Sequence, residues 1–80
     1  MARQHHDLKT ETQYFQAVEN GEKKFEARKN DRDFKIGDMV TLEETVSGVY
    51  TGRKLAPFEI KYILHGKQYG VEDGYCVFSW

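Results

Sequence analysis

The chain has 80 residues, of which 39% are hydrophobic, 14% aromatic and 31% charged, and its formal net charge is −1. This composition excludes a disordered tail, and the length excludes a second domain. The near-neutral charge argues against a nonspecific nucleic-acid binder, since those proteins usually carry a surplus of Lys and Arg. We therefore predict one domain over residues 1–80, with a thin core that depends on a few large aromatic rings.

The first predicted element is a helix over about residues 11–20. Thr10-Glu11-Thr12-Gln13 has the form of a capping box, in which a Thr hydroxyl and a Gln side chain satisfy the first backbone N–H groups. Asn20-Gly21 then provides the left-handed residue that ends many helices. Between these signals an apolar stripe repeats at helical spacing, made by Tyr14, Phe15 and Val18.

About five short strands are predicted after the helix. Alternation over residues 24–29 places Phe25 and Ala27 on one face and the charged side chains on the other. Ser47-Gly48 marks a hairpin, and Pro57 precedes the longest alternation, where a missing backbone donor is tolerated. Apart from residues 24–29, the clearest strand segments are residues 39–44, 58–64 and 75–80.

The order of these elements predicts an α+β domain. Frequent turns between short strands favour a small, strongly curved sheet or partly closed barrel, because closure limits the number of unpaired strand edges. The N-terminal helix is expected to cover one opening of this barrel.

The compartment is predicted from what the sequence lacks. Cys76 is the only cysteine, so an intramolecular disulfide is impossible, and nothing favours an oxidising compartment. No stretch resembles a signal peptide or a membrane span. We predict a cytoplasmic protein with no membrane association, in which Cys76 is a small core residue.

The most informative motif is Gly21-x-Lys23-x-x-Glu26-x-Arg28, at the junction between the helix and the first predicted strand. It opens a basic segment, residues 23–35, which holds six basic and three acidic side chains. Glu26 and Arg28 are two residues apart on a strand, so they share a face and can form an ion pair that leaves guanidinium donors for a phosphate or a base edge. The alternative from the residues alone is a solvated strand face with a weak surface salt bridge.

Two predicted loops add further candidate binding residues. Arg32 and Asn30 lie in one, and Arg53 and Tyr50 in the other, a combination of arginine and aromatic side chains that suits base stacking. The alternative is that Tyr50 packs at a strand end and the arginines only confer solubility. The three histidines, His5, His6 and His65, lack the spacing of a metal site, and we predict neither a metal nor a cofactor.

These residues resemble a known family over most of the chain. The Gly-x-Lys-x-x-Glu-x-Arg motif is that of the ASCH domains, which are PUA-like β-barrels proposed to bind RNA. A longer string resembles a small bacterial and phage family within that group, domain of unknown function 3850. The string comprises residues 6–9, Tyr14-Phe15, residues 25–34, Gly37-Asp38, residues 50–53 and Gly74-Tyr75.

The resemblance implies a PUA-like barrel with a cleft between helix and sheet, walled by Lys23, Glu26 and Arg28. It implies binding of RNA or a modified nucleotide, with Glu26 orienting Arg28 or accepting from an exocyclic amine. The expected ligand-binding residues are Lys9, Lys23, Glu26, Arg28, Asn30, Arg32, Tyr50 and Arg53.

Two other functions remain open at this point. Some ASCH relatives are small amidohydrolases that deacylate N4-acetylcytidine with the motif lysine, a threonine and a glutamate. By that resemblance Lys23 and Glu26 would be catalytic, although Glu26 stands where the threonine is expected, and Glu72 is a candidate second carboxylate. The other alternative is a phage or mobile-element interaction domain, monomeric or homodimeric, that uses a sheet edge or the C-terminal Phe78 and Trp80.

Overall fold

The protein consists of one short helix and six strands, seen in a computed structural model that describes residues 3–80. Two three-stranded sheets share one hydrophobic core, and within these residues the strands do not close into a single barrel. The α+β class agrees with the sequence prediction, whereas the strand count is six instead of about five. In chain order the elements are β1 (His5–Glu11), α1 (Thr12–Glu19), β2 (Phe25–Lys29), β3 (Met39–Val46), β4 (Val49–Glu59), β5 (Tyr62–His65) and β6 (Tyr75–Ser79).

Strand β1 was not predicted, and its presence makes the predicted capping box wrong. It pairs in parallel with β3 along its whole length, from His5 opposite Met39 to Glu11 opposite Thr45. This pairing keeps Thr10 extended, and its hydroxyl bonds to the carbonyl of Leu8 instead of capping the helix. Helix α1 therefore starts at Thr12 without a side-chain cap.

The end of α1 agrees with the prediction. Gly21 adopts a φ of 78°, a conformation that glycine takes at little cost. Its N–H bonds to the carbonyl of Val18, and the N–H of Glu22 bonds to the carbonyl of Ala17. These two bonds form a Schellman motif, which satisfies the last helix carbonyls and directs the chain into β2.

Strands β3 and β4 form the predicted hairpin at Ser47-Gly48, where both residues have positive φ, 49° and 81°. Such values define the two-residue turn that matches the twist of a hairpin. Pro57 lies inside β4 and not at the start of a strand as predicted. Its missing N–H is tolerated because β4 is an edge strand of the order β1-β3-β4, and the register shifts beside it.

The predicted strand over residues 58–64 is divided between the two sheets. The N–H of Ile60 bonds to the carbonyl of Asp38, but the N–H of Lys61 bonds to the carbonyl of Ser79 in β6. The chain thus leaves the first sheet at Ile60 and enters the second, whose order is β2-β6-β5. An alternating pattern cannot show this change of partner, because both halves bury alternate residues.

The core contains fewer aromatic rings than the composition suggested. Only three phenylalanines are buried in it, together with Cys76 and six aliphatic side chains; the ten residues are Leu8, Phe15, Val18, Phe34, Val40, Leu42, Ile60, Ile63, Cys76 and Phe78. Burial raises the pKa of the Cys76 thiol, in line with a packing role. Tyr14, which was expected on the buried stripe of α1, is half exposed.

The helix in the described part of the chain is too short and too polar to cross a bilayer.

Candidate functional site

A cleft of about 650 Å³ is lined by the two edge strands β1 and β2 and by the first turn of α1. Its β1 wall contains Lys9, Thr10 and Glu11, and all five residues of β2 line the opposite wall. Because each of these strands has a neighbour on one side only, the cleft lies where the two sheets separate. A volume of this size is typical of small-molecule sites.

Strand β2 presents its charged face to the interior, a direction that its alternation alone did not decide. Glu26 is opposite Phe78 and Arg28 is opposite Cys76 in the β2–β6 ladder. Directly opposite residues of an antiparallel pair share a face, so both charged side chains point the same way as two core residues. Phe25 and Ala27 are consequently exposed.

Glu26 forms the floor of the cleft and is only 3% exposed. Its Oε1 accepts a hydrogen bond from Lys23 Nζ at 2.5 Å, and its Oε2 accepts one from Arg28 Nε at 3.0 Å. The solvated-face alternative is therefore wrong, since the three charged groups of the motif converge instead of pointing into solvent.

Arg28 also joins the two sheets across this floor. Its Nη2 donates to the carbonyl of Lys9 at 2.6 Å and to the hydroxyl of Thr10 at 3.2 Å. With Nε on Glu26, the guanidinium is held at two of its three nitrogens, which fixes its plane. A guanidinium fixed in this way binds a ligand with little further loss of side-chain entropy.

Half-exposed aromatic rings surround this charged floor. Tyr14, Phe25 and Tyr75 line the cleft with 50%, 47% and 41% of their surface exposed. Lys23 Nζ lies 5.2 Å from the centroid of the Tyr14 ring and 5.4 Å from that of Phe25, which are cation–π distances. The rings thus offer flat apolar surface directly beside fixed positive charge.

Glu11 lies at the edge of the cleft, and its carboxylate is fixed to the β3–β4 hairpin. It accepts hydrogen bonds from the Thr45 hydroxyl and from the N–H groups of Ser47 and Gly48, the latter two at 3.0 and 3.1 Å. The Thr45 hydroxyl, followed by the Gly48 N–H, lowers the pKa of Glu11, so it is ionised at neutral pH. The cleft therefore contains two carboxylates, Glu11 and Glu26, both bonded to protein groups.

The charge of the cleft is positive. Four basic side chains, Lys9, Lys23, Arg28 and Lys29, face two acidic ones, which leaves an excess of two positive charges. Within residues 3–80, Lys9 and Lys29 have no carboxylate within salt-bridge distance, and Lys9 Nζ instead lies 5.3 Å from the Tyr50 ring centroid. The cleft is therefore suited to an anionic ligand.

Asn30 and Arg32, two predicted binding residues, are not part of the cleft lining. Asn30 Oδ1 accepts a hydrogen bond from the N–H of Phe34 at 3.0 Å, and Arg32 Nη1 donates to the carbonyl of Asp7 at 2.9 Å. Both side chains hold the segment between β2 and β3 against the rest of the protein, which is a structural role.

Arg53 and Tyr50 lie on strand β4, not in a loop as predicted. Tyr50 is near the cleft, because the Nζ of the cleft residue Lys9 lies over its ring. Arg53 forms an ion pair with Glu19 of α1, lies 3.6 Å from Glu44 and stacks over the Phe15 ring. The hydrogen bond and charge of Glu19 raise the pKa of Arg53. Arg53 therefore ties the helix to β4 and is outside the cleft lining.

Glu44 completes this second polar cluster. Its carboxylate accepts hydrogen bonds from the hydroxyls of Thr51 at 2.7 Å and Thr12 at 2.9 Å. These two bonds, followed by the charge of Arg53, outweigh burial and lower its pKa. Both carboxylate oxygens of Glu44 are thus bonded within the protein, and Glu44 is outside the cleft lining.

The remaining candidates lie elsewhere. Glu72 belongs to the β5–β6 connection and is not part of the cleft lining, so it is not paired with Lys23 as the hydrolase alternative requires. Phe78 is fully buried and Trp80 stacks on Phe58 at 4.8 Å, so the proposed C-terminal interface is wrong for Phe78. His6 is buried beside Asp38.

Several cleft residues were missed by sequence reasoning. Tyr75 and Lys29 are opposite each other in the β2–β6 ladder, a pairing between residues far apart in the chain. Thr10 and Glu11 were assigned to the helix start, which hid their place on β1. The available signal for Phe25 is the alternation of β2, because a cleft floor formed by Glu26 and Arg28 leaves Phe25 on the other face of the strand.

Comparison with known proteins gives a family and one relative, neither with a known activity. The sequence model of "Domain of unknown function (DUF3850)" matches residues 5–80. The chain is also 46% identical over 50 residues to the "Uncharacterized 12.9 kDa protein in GpA 3'region" of Escherichia phage P2. That match covers 62% of this chain and 46% of the phage protein, so it spans less than half of the relative's length.

Proposed function

The chain belongs to the DUF3850 family, and we propose that its cleft binds an RNA segment or a modified nucleotide. The observation that carries the proposal is the buried Glu26 held between Lys23 and Arg28 at the floor of a cleft with exposed aromatic walls. Apolar rings are more stable when other apolar groups cover them than when they are exposed to water. A purely structural ion pair would not require half-exposed rings beside it, whereas a ligand-binding site would.

The chemistry of the walls matches that of a nucleotide. Any base can stack on an aromatic side chain, because every base has a π-face, and cations beside the rings contact the phosphates. Phe25 and Tyr14 offer the stacking faces, and Lys23 lies within 5.4 Å of both ring centroids. Arg28, fixed across the floor, adds a guanidinium whose Nη1 has no hydrogen-bond partner among residues 3–80.

The resemblance to ASCH domains supports the same proposal. We propose that the two three-stranded sheets correspond to the halves of a PUA-like barrel that separates between β1 and β2, where the cleft lies. Binding of RNA or nucleotides would also fit the cytoplasmic compartment expected from the sequence. A crystal structure of the protein with a bound nucleotide would test the strand arrangement and the place of the ligand together.

Binding is tested by titrating the protein with a panel of short RNAs and nucleotides at low and moderate salt, followed by calorimetry. We expect Phe25→Ala to weaken binding about tenfold, because one stacking surface is lost. Tyr62→Ala is the matched control: Tyr62 is an exposed ring on β5, outside the cleft lining, and its removal should leave affinity unchanged.

Arg28→Ala should weaken binding further and reduce its salt dependence, whereas Arg32→Ala should change neither. Arg32 is the appropriate control because its guanidinium bonds to the Asp7 carbonyl outside the cleft. Thermal unfolding of each variant shows that it is folded. Failure of every RNA and nucleotide to bind, or affinity that is the same with and without Arg28, would contradict the proposal.

A second candidate function, deacylation of an N4-acylated cytidine, is favoured by one observation. Lys23, Glu26 and a threonine, Thr10, all line the same cleft. In this reaction Lys23, after giving a proton to Glu26, would act as the base that takes a proton from a water molecule. The water oxygen would bond to the acyl carbon, the bond from that carbon to N4 would break, N4 would take up the proton, and cytidine and the carboxylic acid would leave. The Thr10 hydroxyl would turn from the Leu8 carbonyl to donate to the acyl oxygen. The threonine comes from β1 and not from the motif position at which the hydrolases of the ASCH group carry it.

Incubation with N4-acetylcytidine and chromatography for cytidine tests this activity. If the protein is such an enzyme, the wild type should release cytidine, and Lys23→Ala should release none above the uncatalysed rate. Equal amounts of cytidine from both proteins would remove the hydrolase candidate and leave the binding proposal intact.

A further inference from the structure

The carboxylates and the threonine of the cleft already accept hydrogen bonds from protein donors. Glu26 accepts from Lys23 and Arg28 and is almost fully buried, and Glu11 accepts three bonds from the β3–β4 hairpin. The Thr10 hydroxyl accepts from Arg28 and donates to the Leu8 carbonyl. A ligand with many hydrogen-bond donors would find few side-chain partners here.

The side-chain donors, in contrast, are largely free. Arg28 Nη1 has no hydrogen-bond partner among residues 3–80, although the other two nitrogens of this guanidinium are bonded. Lys23 has three N–H groups, of which one is directed to Glu26. Lys9 and Lys29 add two ammonium groups without a carboxylate partner in the described chain. The basic side chains of the cleft therefore have donor capacity that the protein does not use.

Charge indicates which acceptor-rich group fits. The cleft has an excess of two positive charges, and a phosphomonoester carries about −1.5 to −2 at pH 7, with three acceptor oxygens. A phosphodiester inside a strand carries a single negative charge, and a nucleoside carries none. The terminal phosphate of a nucleotide therefore complements the cleft in charge and in hydrogen bonding better than either of these groups.

This inference depends on the proposed function: we propose that the cleft selects a phosphomonoester. It binds a nucleotide by its terminal phosphate dianion, which Arg28 and the surrounding lysines hold. The base then stacks on the aromatic wall next to Lys23, and a phosphate oxygen accepts a hydrogen bond from Arg28 Nη1. Two sources present this group, a free nucleoside monophosphate and the phosphorylated end of an RNA strand.

The test compares three ligands by calorimetry: cytidine, cytidine 5′-monophosphate and its phosphate methyl ester, which has lost one negative charge. We expect the monophosphate to bind about tenfold more tightly than either of the others, because charge-assisted bonds to a dianion are stronger. A trinucleotide with a 5′-phosphate and its 5′-hydroxyl counterpart separate the two sources, since only a strand-end site prefers the phosphorylated trinucleotide to the free monophosphate.

The variant for this test is the double substitution Lys9→Ala with Lys29→Ala. Both lysines are exposed and without ion pairs in the described residues, so the fold should be retained. The preference for the monophosphate should fall to less than about threefold in this variant. Lys61→Ala, which removes an exposed lysine outside the cleft, should keep the preference.

The outcomes separate this inference from the proposed function. Equal affinity for cytidine, the monophosphate and the methyl ester would overturn the phosphate selectivity and leave nucleotide binding intact. Absence of binding to all three and to both trinucleotides would overturn both. A preference for the monophosphate that survives in the double variant would also overturn the inference, because Lys9 and Lys29 would then not supply the positive charge that selects the dianion.

Discussion

Asp38→Ala should lower the free energy of unfolding by about 3 to 5 kcal/mol, the cost of removing one partner from a buried polar pair. The Asp38 carboxylate is buried and accepts three hydrogen bonds. His6 Nε2 donates at 2.9 Å, and the N–H groups of Gln4 and Lys35 donate at 3.1 Å. Alanine would leave all three donors without a partner, and urea denaturation followed by circular dichroism measures the effect.

The pH dependence of this effect identifies its cause. Burial by itself raises the pKa of Asp38, but the hydrogen bonds from His6, Gln4 and Lys35 outweigh it and hold the pKa below its ordinary value. The unfolded chain therefore takes up the proton first, at about pH 4. The stabilisation is present above that pH and is lost as the pH falls through the lower pKa of the folded state.

The free energies of unfolding of wild type and Asp38→Ala should therefore differ most near neutral pH, and the difference should become smaller below about pH 4. Asp73→Ala is the control, because Asp73 is exposed and its ion pair with Lys67 at 3.8 Å is a surface contact. This change should stay within about 0.5 kcal/mol of wild type. A loss of similar size in both variants would contradict the role assigned to Asp38.

Glu26→Ala should be the second most costly substitution, with a loss of about 2 to 4 kcal/mol in the free energy of unfolding. It removes the carboxylate that Lys23 and Arg28 share and leaves two positive charges next to each other. The expected loss is smaller than for Asp38, because Lys23 and Arg28 are 18% and 24% exposed and regain part of their hydration. Urea denaturation of the purified variant measures it.

Glu59→Ala provides the comparison for Glu26. Glu59 forms an exposed ion pair with Lys61 at 3.3 Å, so its removal should change stability by no more than about 0.5 kcal/mol. High salt should partly restore the stability of Glu26→Ala, because it screens the repulsion between the two cations. If the two variants prove equally stable, the buried ion pair does not hold the cleft floor together.

The location of the candidate site could be predicted from the sequence, because its signals are local. Gly21 ends the helix, and the short distance from Lys23 to Arg28 keeps the three charged residues of the motif together in any turn-and-strand arrangement. Ser47-Gly48 likewise sets the hairpin by the conformations of two adjacent residues. The resemblance to domain of unknown function 3850 was also confirmed by the match over residues 5–80.

The sequence did not show which face of β2 is inside. The alternation separates Phe25 and Ala27 from Glu26 and Arg28, but a period of two is the same whichever face is buried. The register with β6 decided the direction, because it places Glu26 and Arg28 on the face of Phe78 and Cys76. The burial of Glu26 is possible only because Lys23 and Arg28 satisfy its two oxygens.

Local interactions could therefore be predicted from the sequence, whereas long-range pairings could not. The sequence by itself determined the helix end, the hairpin, the strands β2, β3 and β6 and the place of the charged motif, since each depends on residues a few positions apart. Only the tertiary structure decided that β1 pairs with β3, that the chain changes sheets at Ile60, and that Tyr75 and Thr10 complete the cleft. These features depend on pairings between distant segments, for which a period of two is the same whichever strand is the partner.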